Sequence, residues 1–377
     1  MSKPKLELVA LRKEYDDGAV VAVDDIDLTI ASGETIALLG SSGCGKSTTL
    51  NMIVGLEQPT SGDIHVDGRS VVKVPAGKRN IGLVFQDYAV FTSMTVYKNL
   101  AFGLEVRKKP RHEVHKAVHE VAELLGLKDR LKISARELGG SELQRVAIGR
   151  TLVTKPDILL LDEPLSNLEA ESRLAMRREL RRLQREIGLT IIYVTHDQIE
   201  ALSLADRIAV MNAGKIVQVE RTPEICRRPG HVFVAGFLGS PPMNLFQGRF
   251  KSHGERTYFE HDDFSLNLSA AWDHASMPTG WIVLGAPPES LRLVPPGTGD
   301  VPGVISRVEP RGPERVVTVA VGGQAVNLLT RAAGPQPLVG DSVGIAFDPE
   351  VFHVFDADSN LRTDLTETKV EHGEPAY

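Results

Sequence analysis

Three short segments hold residues whose types and spacing carry chemistry. GSSGCGKST (40–48) satisfies G-x-x-x-x-G-K-[ST], follows the apolar run ETIALL and opens STTLNMIVGL, so it sits in a strand–loop–helix context. Gly40, Ser41, Ser42, Gly43, Cys44 and Gly45 are small, and the glycines let backbone N–H groups turn towards a phosphate without a Cβ in the way. Lys46 is a point charge for the β- and γ-phosphates of a nucleotide. The Ser47 hydroxyl suits Mg²⁺, and Thr48 follows it into a helix whose N-terminus adds partial positive charge. ILLLDEPLSNLEA (158–170) ends an apolar run in Asp162 and Glu163. Asp162 is placed to hold Mg²⁺ through its water shell, and Glu163 to polarise an attacking water. YVTHDQIEA (193–201) ends another apolar run in His196, an imidazole able to bond a γ-phosphate or that water. Cys44 is read as small filler within the loop rather than as a redox switch.

These groups need strand ends to present them. ETIALLG (34–40), DILLLDEP (157–164) and LTIIYVTHD (189–197) are short apolar runs, and amphipathic stretches such as HEVHKAVHEVAELLGL (112–127) and ESRLAMRRELRRLQREIG (171–188) lie between them. Strands recurring with helices between them predict an α/β sheet with covered faces over residues 1–235. Near 236 the style changes. GFLGSPPMN (236–244) reads as a hinge, and the short alternating segments WIVLGAPPESLRLV and RVVTVAV predict an all-β domain over 236–377, a barrel or a sandwich. The polar end from about residue 365 is expected to fray.

Composition limits the partners. The chain has 377 residues and a net charge of −6, which argues against a mainly electrostatic nucleic-acid binder. Two cysteines, Cys44 and Cys226, make no disulfide framework and fit a reducing compartment. The N-terminal segment has no apolar signal-peptide core, and no run approaches the roughly 20 apolar residues that span a bilayer. Work at a membrane would require a partner.

With LRKEYDDG, GLVFQDY and QRVAIGR added to these motifs, residues 6–235 resemble the ATP-binding cassette (ABC) family. The resemblance implies a P-loop NTPase cassette with a helical subdomain at about 87–155 and ATP with Mg²⁺ as ligands. It makes Tyr15 an adenine-stacking residue. Gln86 becomes a Q-loop glutamine that touches Mg²⁺, Glu163 the catalytic base and His196 the switch histidine. QRVAIGR would begin the helix after the signature loop. VFQDYAVF, DEPLSNL, YVTHDQIEALSLADRI, MNAGKIVQV and VAGFLGSPPMN resemble the subfamily that powers uptake of sugars and glycerol phosphates. That likeness implies an oligonucleotide/oligosaccharide-binding-like regulatory domain after the cassette. It also implies a second ATPase subunit in a homodimer, two transmembrane permease subunits and, indirectly, a solute-binding protein. The chain would then lie peripherally on the cytoplasmic face of the membrane.

Two departures fall on one implied dimer interface. Where the family reads LSGGQ or LSGGE, this chain has Leu138, Gly139, Gly140, Ser141 and Glu142, so a hydroxyl moves two residues along, several ångströms. This loop is implied to reach the γ-phosphate held by the other subunit. The following loop reads SNLEA, with Glu169 where the family has aspartate. Together they predict ATP binding with attenuated hydrolysis. LGAPPESLRL has Ala286 and Pro287 where isoleucine and arginine are common, which removes any contact made by that arginine. A nucleotide-binding regulatory cassette with little turnover, and a non-transport ABC ATPase, are the alternative readings. His112, His115 and His119 share one helix face and are read as solvated rather than metal-binding. RRELRRLQRE (177–186) is read as an exposed, ion-paired helix.

Overall fold

The structure, a computed structural model, describes residues 4–254, 256–269, 278–332 and 336–363. The end expected to fray, from about 365, lies outside the described residues. The chain divides into two compact units, Met1–Ile225 and Cys226–Tyr377.

In the first unit, β1 (Pro4–Tyr15), β2 (Val20–Ala31), β4 (Ser61–Val66) and β5 (Arg69–Ser70) form an antiparallel sheet of order β2-β1-β4-β5. β3 (Thr35–Gly40), β6 (Ile81–Val84), β7 (Ile158–Asp162), β8 (Thr190–Thr195), β9 (Arg207–Asn212) and β10 (Lys215–Arg221) form a second sheet of order β10-β9-β3-β8-β7-β6. This sheet is parallel except for the β9–β10 hairpin, whose turn residues Ala213 and Gly214 both have positive φ. Every residue of β3 and β8 is buried, which is why these strands read as unbroken apolar runs rather than alternating ones.

The helices of this unit are α1 (Lys46–Val54), α2 (Val96–Val106), α3 (Arg111–Leu124), α4 (Gly140–Leu152), α5 (Ala170–Ile187) and α6 (Gln198–Leu204). α2, α3 and α4 fall within the stretch expected to be a helical subdomain. Gly149 on α4 allows close packing there, since a Cβ would lie 2.6 Å from Leu100 and 2.9 Å from Leu125. On α5, Glu179 pairs with Arg145 at 3.0 Å and Glu186 with Arg182 at 3.7 Å, so its arginines are interleaved with bonded acids.

The second unit carries β11 (Asn244–His253), β12 (Arg256–Glu260), β13 (Ser265–Asn267), β14 (Trp281–Ala286) and β20 (His353–Asp356) in one antiparallel sheet of order β13-β12-β11-β14-β20. The other sheet has the order β15-β19-β16-β17-β18, from β15 (Leu291–Val294), β16 (Val301–Arg311), β17 (Glu314–Val321), β18 (Gln324–Arg331) and β19 (Ser342–Phe347). Phe246, Phe259, Leu284, Val317, Leu328 and Ile345 from both sheets share one core. The buried Asn244 side chain joins the sheets, donating to the Ala286 carbonyl at 3.2 Å and the Asn327 carbonyl at 2.9 Å and accepting from the Asn327 N–H at 2.8 Å. Ala286 is buried at the end of β14, and Pro287 leads into a 3₁₀ turn, so neither offers a polar side chain at the site of the family's arginine.

The unit boundary falls ahead of the Gly/Pro stretch read as a hinge. The Val232 N–H donates to the Asn360 carbonyl at 2.9 Å and the Arg362 N–H to the Gly230 carbonyl at 3.0 Å. These bonds tie the segment before residue 236 to the end of the β unit.

One buried side chain anchors the far end of α1. Arg79 is 4% exposed and donates to the carbonyls of Met52, Ile53, Val72 and Val74 at 2.7–3.0 Å. Two of these are terminal carbonyls of α1, where a cation also meets the negative end of the helix dipole. Arg79→Met should destabilise the protein by about 2–4 kcal/mol, because it leaves buried carbonyls without donors. A urea-unfolding midpoint equal to that of the parent protein would contradict this.

Candidate functional site

The phosphate loop is shaped by backbone crowding. Gly45 has φ +104°, and a Cβ there would lie 2.4 Å from the Ala22 carbonyl oxygen of β2. At Gly40 a Cβ would lie 2.4 Å from the Met211 carbonyl oxygen of β9 and 2.6 Å from the Cys44 sulfur. Gly43 has φ +78° but open space around it. Two positions therefore exclude a side chain by contact, and a third by conformation alone. Cys44 is buried and its carbonyl accepts from the Gly214 N–H at 3.2 Å, so it packs the loop against the β9–β10 turn. Ser41, Ser42 and Ser47 remain exposed on the open side.

Lys46 begins α1 and is only 5% exposed. Its Nζ donates to the Gly40 carbonyl at 2.9 Å and the Ser41 carbonyl at 2.8 Å, so the ammonium is folded across the inside of the loop. The Ser47 Oγ donates to Asp162 Oδ1 at 3.4 Å. Burial holds the Asp162 carboxyl above its ordinary pKa, and the charge of Glu163 adds to this, while Ser47 and Lys46 act the other way. A hydroxyl and a half-buried carboxylate beside a second carboxylate are a donor set that fits a divalent oxygen-seeking cation.

Glu163 turns away from Asp162. Its backbone has φ +44°, uncommon for a residue with a side chain, and its N–H donates to the Val194 carbonyl of β8 at 2.9 Å. That turn directs Glu163 Oε1 to His196 Nδ1 at 3.0 Å, and Glu163 Oε2 accepts from Gln86 Nε2 at 3.4 Å. Gln86 also donates to the Ser166 Oγ at 3.5 Å, and its carbonyl accepts from Asn167 Nδ2 at 2.8 Å. Of the three residues expected to hold the cation, Ser47 and Asp162 meet each other and Gln86 meets Glu163. His196 is 60% exposed on its open side, so the Glu163–His196 pair faces solvent where a ligand can reach it.

Tyr15 ends β1 and is 36% exposed. Lys13 Nζ lies 5.0 Å from its ring centroid, so a cation already covers part of the ring. Partial burial raises the phenol pKa, as does Glu57, while Thr48 opposes them.

The ELGGSEL stretch differs from expectation in one respect: α4 starts at Gly140, not at QRVAIGR. Gly139 is the N-cap residue and is extended, with φ −73° and ψ 166°. Lacking a side chain, it cannot cap the helix. Glu142 compensates from within, its Oε2 accepting from the Gly139 N–H at 3.2 Å, and its Oε1 pairs with Arg130 at 3.0 Å. Gly140 and Ser141 thus form the first helical turn, and Glu142 is engaged by its own loop. Two polar side chains were not singled out from sequence, Arg173 and Glu200. Nothing in their local spacing marks them, and only the approach of α5 to α6 does. Among the described residues no three His, Cys, Asp or Glu side chains cluster as a metal site; His115 and His119 lie against each other with ring centroids 4.3 Å apart.

A family model for the ABC transporter matches residues 23–166, and one for the TOBE domain matches residues 285–355. The trehalose/maltose import ATP-binding protein MalK of Thermococcus litoralis is 43% identical over 355 residues, covering 90% of this chain and 94% of that protein. The sn-glycerol-3-phosphate import ATP-binding protein UgpC of Pectobacterium atrosepticum is 40% identical, over 95% of this chain and 99% of that protein. UgpC 1 of Rhizobium etli is 52% identical over 71% of this chain and 79% of its own length. Among solved structures, cbiO1 of Clostridium perfringens, part of the ABC transporter complex cbiONQ, superposes with a TM-score of 0.56. It is 31% identical, and the match covers 59% of this chain and 91% of that one.

The loop geometry separates two glycines. Gly45→Ala should lower ATP affinity at least about 100-fold, because the Cβ collides with fixed β2 backbone, whereas Gly43→Ala should cost roughly 1–2 kcal/mol of backbone strain, about tenfold. Calorimetric titration with ATP distinguishes them, and equal affinities for the two variants would contradict the crowding argument.

Proposed function

The chain belongs to the ATP-binding subunits of ABC importers, and we propose that it energises the uptake of a sugar or a glycerol phosphate. The observation that carries the importer assignment is end-to-end similarity, cassette and TOBE region together, to relatives named for import of trehalose/maltose and of sn-glycerol 3-phosphate. On this reading two copies pair, each phosphate loop facing the other copy's Gly139–Glu142 segment, and the pair drives two permease subunits fed by a solute-binding protein. No described helix is long and apolar enough to cross a membrane. The chain would work from the cytoplasmic face through those permeases.

The residues take the following parts. The N–H groups of residues 41–48 and the Lys46 ammonium hold the β- and γ-phosphates, and Tyr15 supports the adenine. Ser47 and Asp162 would hold Mg²⁺, with Gln86 reaching it through its amide oxygen; bound there, the ion offsets phosphate charge. Glu163 polarises the attacking water, and His196, already within hydrogen-bond distance of Glu163, orients it towards the γ-phosphate. With a glycine N-cap the hydroxyl of the signature loop sits at Ser141, inside the first helical turn. Gly139 has no atom within 4 Å of where a Cβ would stand, so a serine fits there. This supports attenuated turnover, and its limit is a second reading, a regulatory cassette with little hydrolysis.

Steady-state ATPase and Mg-ATP binding of the full chain test the proposal. Lys46→Ala should abolish binding, and Glu163→Gln should bind ATP while losing at least about 100-fold in kcat. Undiminished binding in Lys46→Ala would remove the nucleotide reading of this loop. Gly139→Ser/Ser141→Gly should raise kcat roughly tenfold or more, by analogy with restoring one transition-state donor. An unchanged kcat would make the native loop a tolerated variant.

A further inference from the structure

Glu200 on α6 is a carboxylate only 3% exposed. Its Oε2 accepts from the Tyr193 hydroxyl at 2.6 Å and the Thr195 hydroxyl at 2.9 Å, both on β8, the strand that ends just before His196. The Thr195 Oγ1 in turn accepts from the Asp197 N–H at 2.9 Å. Asp197 Oδ1 caps α6 by accepting from the N–H groups of Ile199 and Glu200 at 2.8 and 3.2 Å. His196 is therefore held between a strand end and a helix start that share one network. A carboxylate so buried costs several kcal/mol unless a cation compensates it.

Arg173 on α5 brings a cation within ion-pair range, and Arg177, one turn further along α5, acts on Tyr193 in the same network. Its Nε lies 3.9 Å from Glu200 Oε1 and its Nη1 lies 3.7 Å from Asp197 Oδ2. Its Nη2 donates to the Leu168 carbonyl at 3.1 Å. Leu168 belongs to the SNLEA loop, where the Ser166 hydroxyl donates to the Glu163 carbonyl at 2.8 Å and Asn167 holds the Gln86 carbonyl. One planar guanidinium thus bonds the loop that follows Glu163 and lies within ion-pair range of the turn that carries His196. We propose that Arg173 is a positioning residue, tying the Leu168 carbonyl to the Glu200–Asp197 pair so that His196 stays in register with Glu163. The two carboxylate contacts are within ion-pair range but longer than hydrogen bonds. The Glu169 carbonyl accepts the Arg173 N–H at 2.8 Å, which places the tie one helical turn from the position where this chain carries glutamate.

The inference rests on the reading of Glu163 and His196 above, and kinetics of the full chain separate the two. Arg173→Ala should lower kcat at least about tenfold while the KM for ATP stays within about twofold, since a small misplacement of a reacting group is costly without weakening binding. Glu200→Gln should do the same, and the double variant should lose nothing further, because both act through one tie. Arg173→Lys should not restore kcat, since an ammonium cannot span the carbonyl and both carboxylates. Should Arg173→Ala not fold, Arg173→Lys carries the test by the same criteria. A silent Arg173→Ala beside a strongly impaired His196→Ala overturns the inference alone. So do Arg173→Ala and Glu200→Gln losses that multiply while KM rises and Tm falls, the mark of a scaffold. A fully active His196→Ala removes the reading beneath it, and the inference with it.

Discussion

A lysine ammonium that is 5% exposed and bound to two backbone carbonyls sets the terms for the whole first unit. Carbonyl dipoles solvate such a charge only in part, and the proposed nucleotide phosphates would complete its shell. Holding it there requires a loop with no side chains on its inner turns, so β2 and β9 approach at Ala22 and Met211 until glycine is the residue that fits at 45 and 40. It also requires a rigid helix behind the loop. Arg79 secures that helix at its other end by covering the carbonyls of Met52 and Ile53. Sheet, loop and helix are thus one device for keeping a positive charge folded across the inside of the loop.

The acidic side of the site follows a different rule. Asp162 and Glu163 are adjacent, and two carboxylates pointing the same way would repel each other. The positive φ of Glu163 resolves this by sending one towards Ser47 and the other towards His196. The strain is held by the bond from the Glu163 N–H to β8 and by the Ser166 hydroxyl on the Glu163 carbonyl. The carboxylate proposed to hold Mg²⁺ and the one proposed to polarise water are thus separated by one peptide unit.

The second unit depends less on charge. Its two antiparallel sheets bury aromatic and aliphatic residues from both inner faces, and the Asn244 amide closes the polar gap at one end of β11. Its start is set by backbone bonds from residues 230–232 to 360–362 rather than by the flexible composition of 236–244. Glycine and proline mark where a chain can bend; pairing decides whether it does.

Local sequence determined much of this protein. The phosphate loop, the acid pair at the end of β7 and His196 at the end of β8 were legible because each is a short motif fixed to the end of an apolar strand, and strand ends are local. The α/β-then-β order was legible for the same reason, from buried runs that give way to alternating ones. Tertiary structure decided what depends on approach between distant segments. The helix carrying the signature loop starts at Gly140 because Glu142 folds back on the Gly139 N–H and meets Arg130. Gln86 faces Glu163 rather than the Ser47–Asp162 pair because β6 lies beside β7. Arg173 and Glu200, separated along the chain on different helices, meet only when α5 packs against α6. Such contacts have no spacing to read, because their energy comes from desolvated charges brought together by the packing of the whole unit.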